Sequence, residues 1–166
     1  MRPHELAEVI RVRWPDATLA RDEVTVVIER EDLIATLEQL RDDPTLRFDL
    51  LAQVTASDWP SADPRFWLDY ELYSIEHHHR LRVKVGVSDG DEHVPSVVGV
   101  FPTANWHERE TYDFFGIVFD GHPDLRRILL PEGWEGYPLR KTEELGGVNT
   151  RYKHGAFIPP PDRRTT

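Results

Sequence analysis

ERETYDFFGIVFDGHPDLRRILL, residues 108–130, sets the terms for the rest of the chain: a helical spacing, a stop, a short apolar run and a basic return. Turning roughly 100° per residue from Ala104 puts Ala104, Thr111, Tyr112, Phe114 and Phe115 on one side of a helix. Trp106, Arg109, Glu110 and Asp113 fall on the other. Glu108 interrupts the pattern, because it projects from the apolar side between Tyr112 and Phe115. A carboxylate there has to be paired or has to cap something, and Asn105, three residues earlier, offers a capping box in which the acid reaches back to a free amide of the first turn. Gly116 is a helix stop. An apolar run, Ile117 to Phe119, follows, and His122, Pro123, Arg126 and Arg127 close the stretch.

Outward from this helix, two segments alternate with period two. Phe66, Leu68, Tyr70, Leu72 and Ser74 share one face against Trp67, Asp69, Glu71 and Tyr73, and Leu81, Val83, Val85 and Val87 repeat the pattern against Arg80, Arg82, Lys84 and Gly86. A turn near Glu76–His79 makes them a hairpin, with acids of the first strand across from bases of the second. Further upstream, Leu6, Val9 and Ile10 predict an amphipathic helix over Pro3–Trp14. Val24–Glu29 reads as a strand, and Leu33, Ile34, Leu37 and Leu40 predict a helix over Asp32–Leu40 that Pro44 ends. Leu46–Thr55 reads as a strand with one buried face, Asp58–Pro64 and Asp89–Pro95 as loops, and Ser96–Val100 as a short apolar segment. The expected fold is α+β: an antiparallel or mixed sheet over residues 1–120 with helices packed on one side.

Residues 121–166 differ in composition. They hold six of the 10 glycines and six of the 13 prolines, with Trp134, Tyr137, Tyr152 and Phe157 spaced between them. Such a segment has too few clustered apolar residues for a core of its own. It reads as an extended irregular arm that orders by laying its rings into another subunit, or otherwise as a loose tail.

Charge is uneven as well. Residues 1–120 carry 12 Lys and Arg against 24 Asp and Glu, residues 121–166 carry 8 against 6, and the whole chain has a net charge of −10. An acidic body argues against nucleic acid as a partner, since phosphate neutralisation needs a basic surface. The absence of cysteine removes disulfides and every thiolate that an iron–sulfur cluster would need. No apolar run reaches the length of a bilayer span, and the charged start MRPHELAEVIRVRW lacks a signal-peptide apolar region, so a soluble, cytoplasmic chain is expected.

The order Glu108, Arg109, Glu110, then Asp113, Phe114, Phe115, then His122, Arg126 and Ile128 resembles the signature of the 30 kDa subunit family of respiratory complex I, the NADH:quinone oxidoreductase. Upstream, LRDDPTLRFDLL (40–51), the alternating segment 66–74 and RLRVKVGV (80–87) look like the family's sheet; downstream, PLRK (138–141) looks like its proline-arginine element. The likeness runs over residues 30–141. It departs after Lys141, where the family has an acid, an aromatic residue and a proline and this chain has Thr142, Glu143 and Glu144.

The resemblance implies a cofactor-free subunit of the peripheral arm of a proton-translocating complex. Flavin and iron–sulfur clusters would sit on partner subunits. The chain would pack against the 49 kDa-type quinone-site subunit, touching the membrane only through the complex, on the cytoplasmic side of the cell membrane. Glu108, Arg109, Glu110, Asp113, His122, Arg126, Arg127, Arg140 and Lys141 would be its signature or interface residues. The same subunit type occurs in ferredoxin- or deazaflavin-linked relatives of complex I and in membrane-bound nickel–iron hydrogenases.

Two readings of the residues remain beside it. Glu108, Glu110, Asp113 and His122 could run proton transfer, or Arg109, Arg126 and Arg127 could pair with these acids and lock the returning chain onto the helix. His77 and His79, with Glu76, are the one candidate metal cluster, which would suit a small metal-dependent hydrolase. No Gly-rich phosphate loop, nucleophile elbow or cysteine nucleophile is present, so no catalytic residue is expected on the chain itself.

Overall fold

Three buried apolar residues, Leu6, Ala7 and Ile10, define the inner side of α1 (Pro3–Arg11). The helix ends before the expected Trp14 because Pro15 disfavours helical backbone at the residue before it. β1 (Thr18–Ala20) and β2 (Glu23–Ile28) follow as a tight antiparallel hairpin. Its two turn residues, Arg21 and Asp22, both have positive φ, the conformation that matches the twist of paired strands. After one 3-10 turn at Arg30–Asp32, α2 (Leu33–Asp42) buries Leu33, Leu37 and Leu40, and β3 (Leu50–Asp58) is the edge strand. β4 (Phe66–Ser74), β5 (His79–Val87), β6 (His93–Pro95), α3 (Ala104–Phe115) and β7 (Val118–Asp120) complete the order. The computed structural model describes residues 1–131 and 133–143.

The five-stranded sheet runs β1-β2-β5-β4-β3, with β2 and β5 parallel and the other pairs antiparallel. The chain crosses from β2 to the far edge through α2, then returns as the β4–β5 hairpin to fill the gap. Phe66, Leu68, Tyr70 and Leu72 of β4 and Leu81, Val83, Val85 and Val87 of β5 are at most 1% exposed, forming the face on which the helices pack. Each such side chain contributes roughly 1.5–3 kcal/mol when fully buried. A mixed sheet with helices on one side is the α+β fold that the sequence predicts.

The opposite face carries the charge ladder. Asp69 stands across from Lys84 and Glu71 across from Arg82, and both pairs form ion pairs, with Glu23 of β2 adding a second carboxylate to Arg82. Lys84 also lies over the Trp67 ring. Because the pair is partly solvated, Lys84→Met is expected to cost less than about 1 kcal/mol; urea unfolding of the two proteins measures it.

Two of the sequence readings are corrected. The strand read as Leu46–Thr55 starts at Leu50 and runs on to Asp58, because Leu46, Arg47 and Phe48 donate back to Asp43 and Leu40 in a turn with Arg47 at positive φ. The polar loop Asp89–Pro95 ends in β6, and Val118 and Phe119 of the apolar run 117–119 begin β7; β6 and β7 pair in parallel as a separate two-stranded sheet. Three-residue strands carry too little alternation to be read from pattern.

Helix α3 packs along β3, where the hydroxyls of Thr103 and Thr111 donate to the carbonyls of Leu51 and Val54 at 3.1 and 3.4 Å. Gly116 ends α3 at φ 73, and a Cβ there would come within 2.5 Å of the Tyr137 ring. Conformation and close approach both require glycine.

Candidate functional site

Three residues of α3, Glu108, Arg109 and Asp113, bond to other parts of the chain, and the outcome is a fastening. Glu108, facing inward as its spacing predicts, is fully buried. Its partner is not Asn105, which lies inside the helix. Instead Oε2 accepts the Ser96 hydroxyl at 2.6 Å and Oε1 the Val97 amide at 2.7 Å, so the acid holds the segment between β6 and α3. The capping box is thereby replaced by a long-range contact, because Thr103 occupies the N-cap position. Burial pushes the Glu108 carboxyl up to about 7, against the pull of its two hydrogen bonds. The Tyr70 phenol, fully buried and pushed well above its ordinary value by burial first and by Glu108 second, has no hydrogen-bond partner among the described residues.

Asp113 behaves in the opposite way. It falls on the polar side of α3, yet residues 126–130 cross that side and bury it completely. Oδ2 accepts three consecutive amides, Ile128 at 3.0 Å, Leu129 at 2.8 Å and Leu130 at 3.0 Å, and Oδ1 accepts Arg127 Nη1 at 3.1 Å. Burial opposes the charge, but the three amides and the guanidinium outweigh it and hold the carboxyl below the usual range. Arg127 continues to the Gly136 carbonyl and lies over Tyr137, whose other side is covered by Arg140.

Arg140 in turn donates to the Phe115 carbonyl at 2.6 Å, pairs with Glu92 and lies over Phe66. Lys141 contributes its backbone amide, at 2.7 Å from Asp58 Oδ2, not its ammonium. Asp58 is also gripped at both oxygens by Arg65, which holds its carboxyl low, and Arg65 reaches Asp89 and Thr142.

The remaining signature residues divide. Arg109 is buried over Trp106 and donates to the Arg126 carbonyl, not to an acid. Arg126 points outward, its side chain 72% exposed and paired with Asp124. Glu110 is exposed. The Asp124 amide donates to His122 Nδ1, so Nε2 carries the hydrogen that reaches the Asn105 carbonyl at 3.1 Å. Among acid–arginine pairs expected to lock the returning chain, Asp113–Arg127 forms; Arg109 and Arg126 do the same work through a carbonyl.

Sequence reasoning missed Asp58, Arg65 and Ser96. An aspartate closing an otherwise apolar strand was the available signal for Asp58, but its partner amide lies 83 positions away. For residues 121–143 the expected arm lies on its own domain: Leu139 donates to the Phe114 carbonyl and the Tyr137 ring sits on Gly116. Residues 144–166, with Tyr152 and Phe157, lie outside the described residues.

Each of these buried carboxylates accepts hydrogen bonds from its own chain, Glu108 from the Ser96 hydroxyl and the Val97 amide, Asp113 from three amides and Arg127, and Asp58 from Arg65 and the Lys141 amide. In the histidine cluster, His79 Nε2 bonds the Leu46 carbonyl and His77 the Pro44 carbonyl, while Glu76 pairs with Arg47. Among the described residues no group of three or more potential metal ligands gathers.

The sequence matches the family described as respiratory-chain NADH dehydrogenase, 30 Kd subunit, over residues 26–149. It is 52% identical over 145 residues to an NADH-quinone oxidoreductase subunit of Mycolicibacterium gilvum, covering 87% of this chain and 64% of that protein. A Nocardioides protein of the same description is 47% identical over 156 residues, covering 93% of this chain and 62% of the relative. The chain thus spans a little under two thirds of the length of these relatives. Among solved structures, the trypsin-resistant fragment of Nqo5 matches with a TM-score of 0.63 at 31% identity, over 75% of this chain and all of the fragment. A chain of a membrane-bound sulfane sulfur reductase, an archaeal respiratory membrane complex, matches with a TM-score of 0.74 at 25% identity, over 86% of this chain and 85% of that one. The residues that fasten three segments of chain onto α3 lie within the matched span, and the chain belongs to the 30 kDa subunit family of the respiratory-chain NADH dehydrogenase.

Proposed function

We propose that this chain is a cofactor-free, non-catalytic subunit of the peripheral arm of a proton-translocating NADH:quinone oxidoreductase, packing against and orienting the 49 kDa-type quinone-site subunit. The observation that carries this reading is the family match over residues 26–149. Flavin and iron–sulfur clusters would belong to partner chains, a view supported by the absence of cysteine from all 166 residues. Attachment would be to the cytoplasmic side of the cell membrane through those partners. No described helix is long and apolar enough to cross a membrane, which agrees with that placement.

Asp113, Arg127 and Arg140 hold residues 126–131 and 136–140 on the domain, and the 121–166 arm would meet the partner from there. Arg126, Glu110 and Lys141 are exposed signature residues available on the surface for a partner. Arg126→Ala and Glu110→Ala are expected to lower the amount of assembled complex in membranes while the isolated domain unfolds at the same denaturant concentration. Normal complex levels in both variants would overturn their interface role.

A second reading keeps the subunit and changes the reaction. The likeness to the sulfane sulfur reductase chain favours it, since the same fold serves a complex described by a different electron acceptor. Purification of the tagged chain from its own membranes, with mass spectrometry of what accompanies it, separates the two. A 49 kDa-type subunit together with a flavin-containing NADH module supports complex I; the same partner with ferredoxin-, sulfur- or hydrogen-linked proteins selects the second reading. A chain recovered alone overturns both.

A further inference from the structure

β1 stops pairing with β2 at Thr25, whereas β2 continues against β5 to Ile28. Among the described residues, the outer edge of Val26–Ile28 has no strand beside it. That edge opens into a groove of 540 Å³ whose far wall is α2, with Asp32 and Gln39, and whose end is closed by Trp14 and Arg13. A strand edge facing a helix across a groove offers an extended chain backbone donors and acceptors on one side and room for alternate side chains on the other.

The groove's chemistry selects the occupant. Trp14 and Val27, the latter 59% exposed, supply apolar contact. The one cation of the lining, Arg13, is held by Asp43 at 2.8 Å. Glu29 and Asp32 are exposed and form no ion pair among the described residues. Two free carboxylates therefore face the groove, on a body whose first 120 residues carry twice as many acids as bases. A second copy of that acidic body would be repelled, and a segment bearing Lys or Arg would be attracted.

We propose that this groove receives an extended, basic segment of a neighbouring subunit, added as a sixth strand beside β2. The inference rests on the reading of the chain as a subunit of a larger complex. It places a contact on the side of the sheet away from α3 and from the arm, so the chain is held by partners at two separated surfaces.

Photo-crosslinking in the assembled complex tests it. The full chain is tagged, p-benzoylphenylalanine is placed at Gln39, and the host's membranes are irradiated before purification and peptide mass spectrometry. The expected product is a cross-link to one Lys- or Arg-bearing segment of another subunit. The paired substitution Glu29→Gln and Asp32→Asn, in which asparagine still suits the start of a helix, is expected to lower its yield about tenfold, as a loss of about 1.4 kcal/mol would. A cross-link only to this chain's own residues 144–166, only to a second copy, or to nothing while partners still co-purify overturns the inference and leaves the subunit reading intact. If no partner co-purifies at all, the subunit reading falls and the inference with it.

Discussion

Asp113→Ala is expected to destabilise the domain by about 3–5 kcal/mol, the range for removing one partner of a buried ion pair. At this chain length that corresponds to a melting temperature lower by roughly 10 °C. The mechanism is specific: alanine leaves the amides of Ile128, Leu129 and Leu130 and the guanidinium of Arg127 without their shared acceptor. Solvation of those groups requires residues 126–130 to lift from α3, so hydrogen exchange at the three amides should accelerate far more than at Val83 or Val85 in the sheet. The same contact has a pH signature. A carboxyl held below its ordinary value contributes stability above the unfolded value of about 3.8 and loses it as pH falls through the folded value. Wild type should therefore lose part of its advantage over Asp113→Ala below about pH 4. An alanine variant of wild-type stability, with the three amides still protected, would show that the acid does not hold the strap.

Glu108→Gln is expected to move stability the other way. A carboxyl whose folded value is raised to about 7 from 4.5 binds its proton more tightly in the native state. Its contribution is complete below about pH 4.5 and declines as pH rises to 7, because over that window the native state holds protons that the unfolded chain has released. A shift of that size corresponds to about 3 kcal/mol at pH 8. Glutamine is uncharged and can still accept from the Val97 amide while its own N–H₂ donates to the Ser96 oxygen. The variant should therefore be more stable than wild type at pH 8 by about 1–3 kcal/mol, and the two should converge towards pH 5. Chemical denaturation at both pH values is the measurement. A constant difference between the two proteins across that range, or a glutamine variant that is weaker throughout, would mean that Glu108 does not titrate in this window.

The contrast between these two acids shows what a sequence discloses. Both lie on one helix, five positions apart. Glu108 announced itself, because a charge at an inward position violates the helical pattern and forces the question of a partner; only the partner's identity, Ser96 and Val97, needed the fold. Asp113 obeyed the pattern; an arginine partner from the returning chain was expected for it, but not its complete burial or the three amides. Its burial comes from a segment more than a dozen residues later, and nothing local to α3 encodes that return. The β4–β5 hairpin and its charge ladder were legible because strand alternation and charge sign repeat together over nine residues. β1, β6 and β7 were not, at three residues each. Arg140 was expected from resemblance alone. Its stacking between Phe66 and Tyr137 joins positions 66, 137 and 140, which no periodicity relates.

The hydroxyls that Thr103 and Thr111 lay on β3 have a consequence for concentrated protein. Strand-by-strand growth of a fibre needs two available margins on every copy, one to accept and one to offer. Here, among the described residues, α3 covers part of one margin, with the Leu51 and Val54 carbonyls already engaged, and the other margin runs along β1 and past it along Val26–Ile28 of β2. A second molecule meeting this one open side to open side would bring two acidic bodies together, and their repulsion opposes strand-by-strand growth.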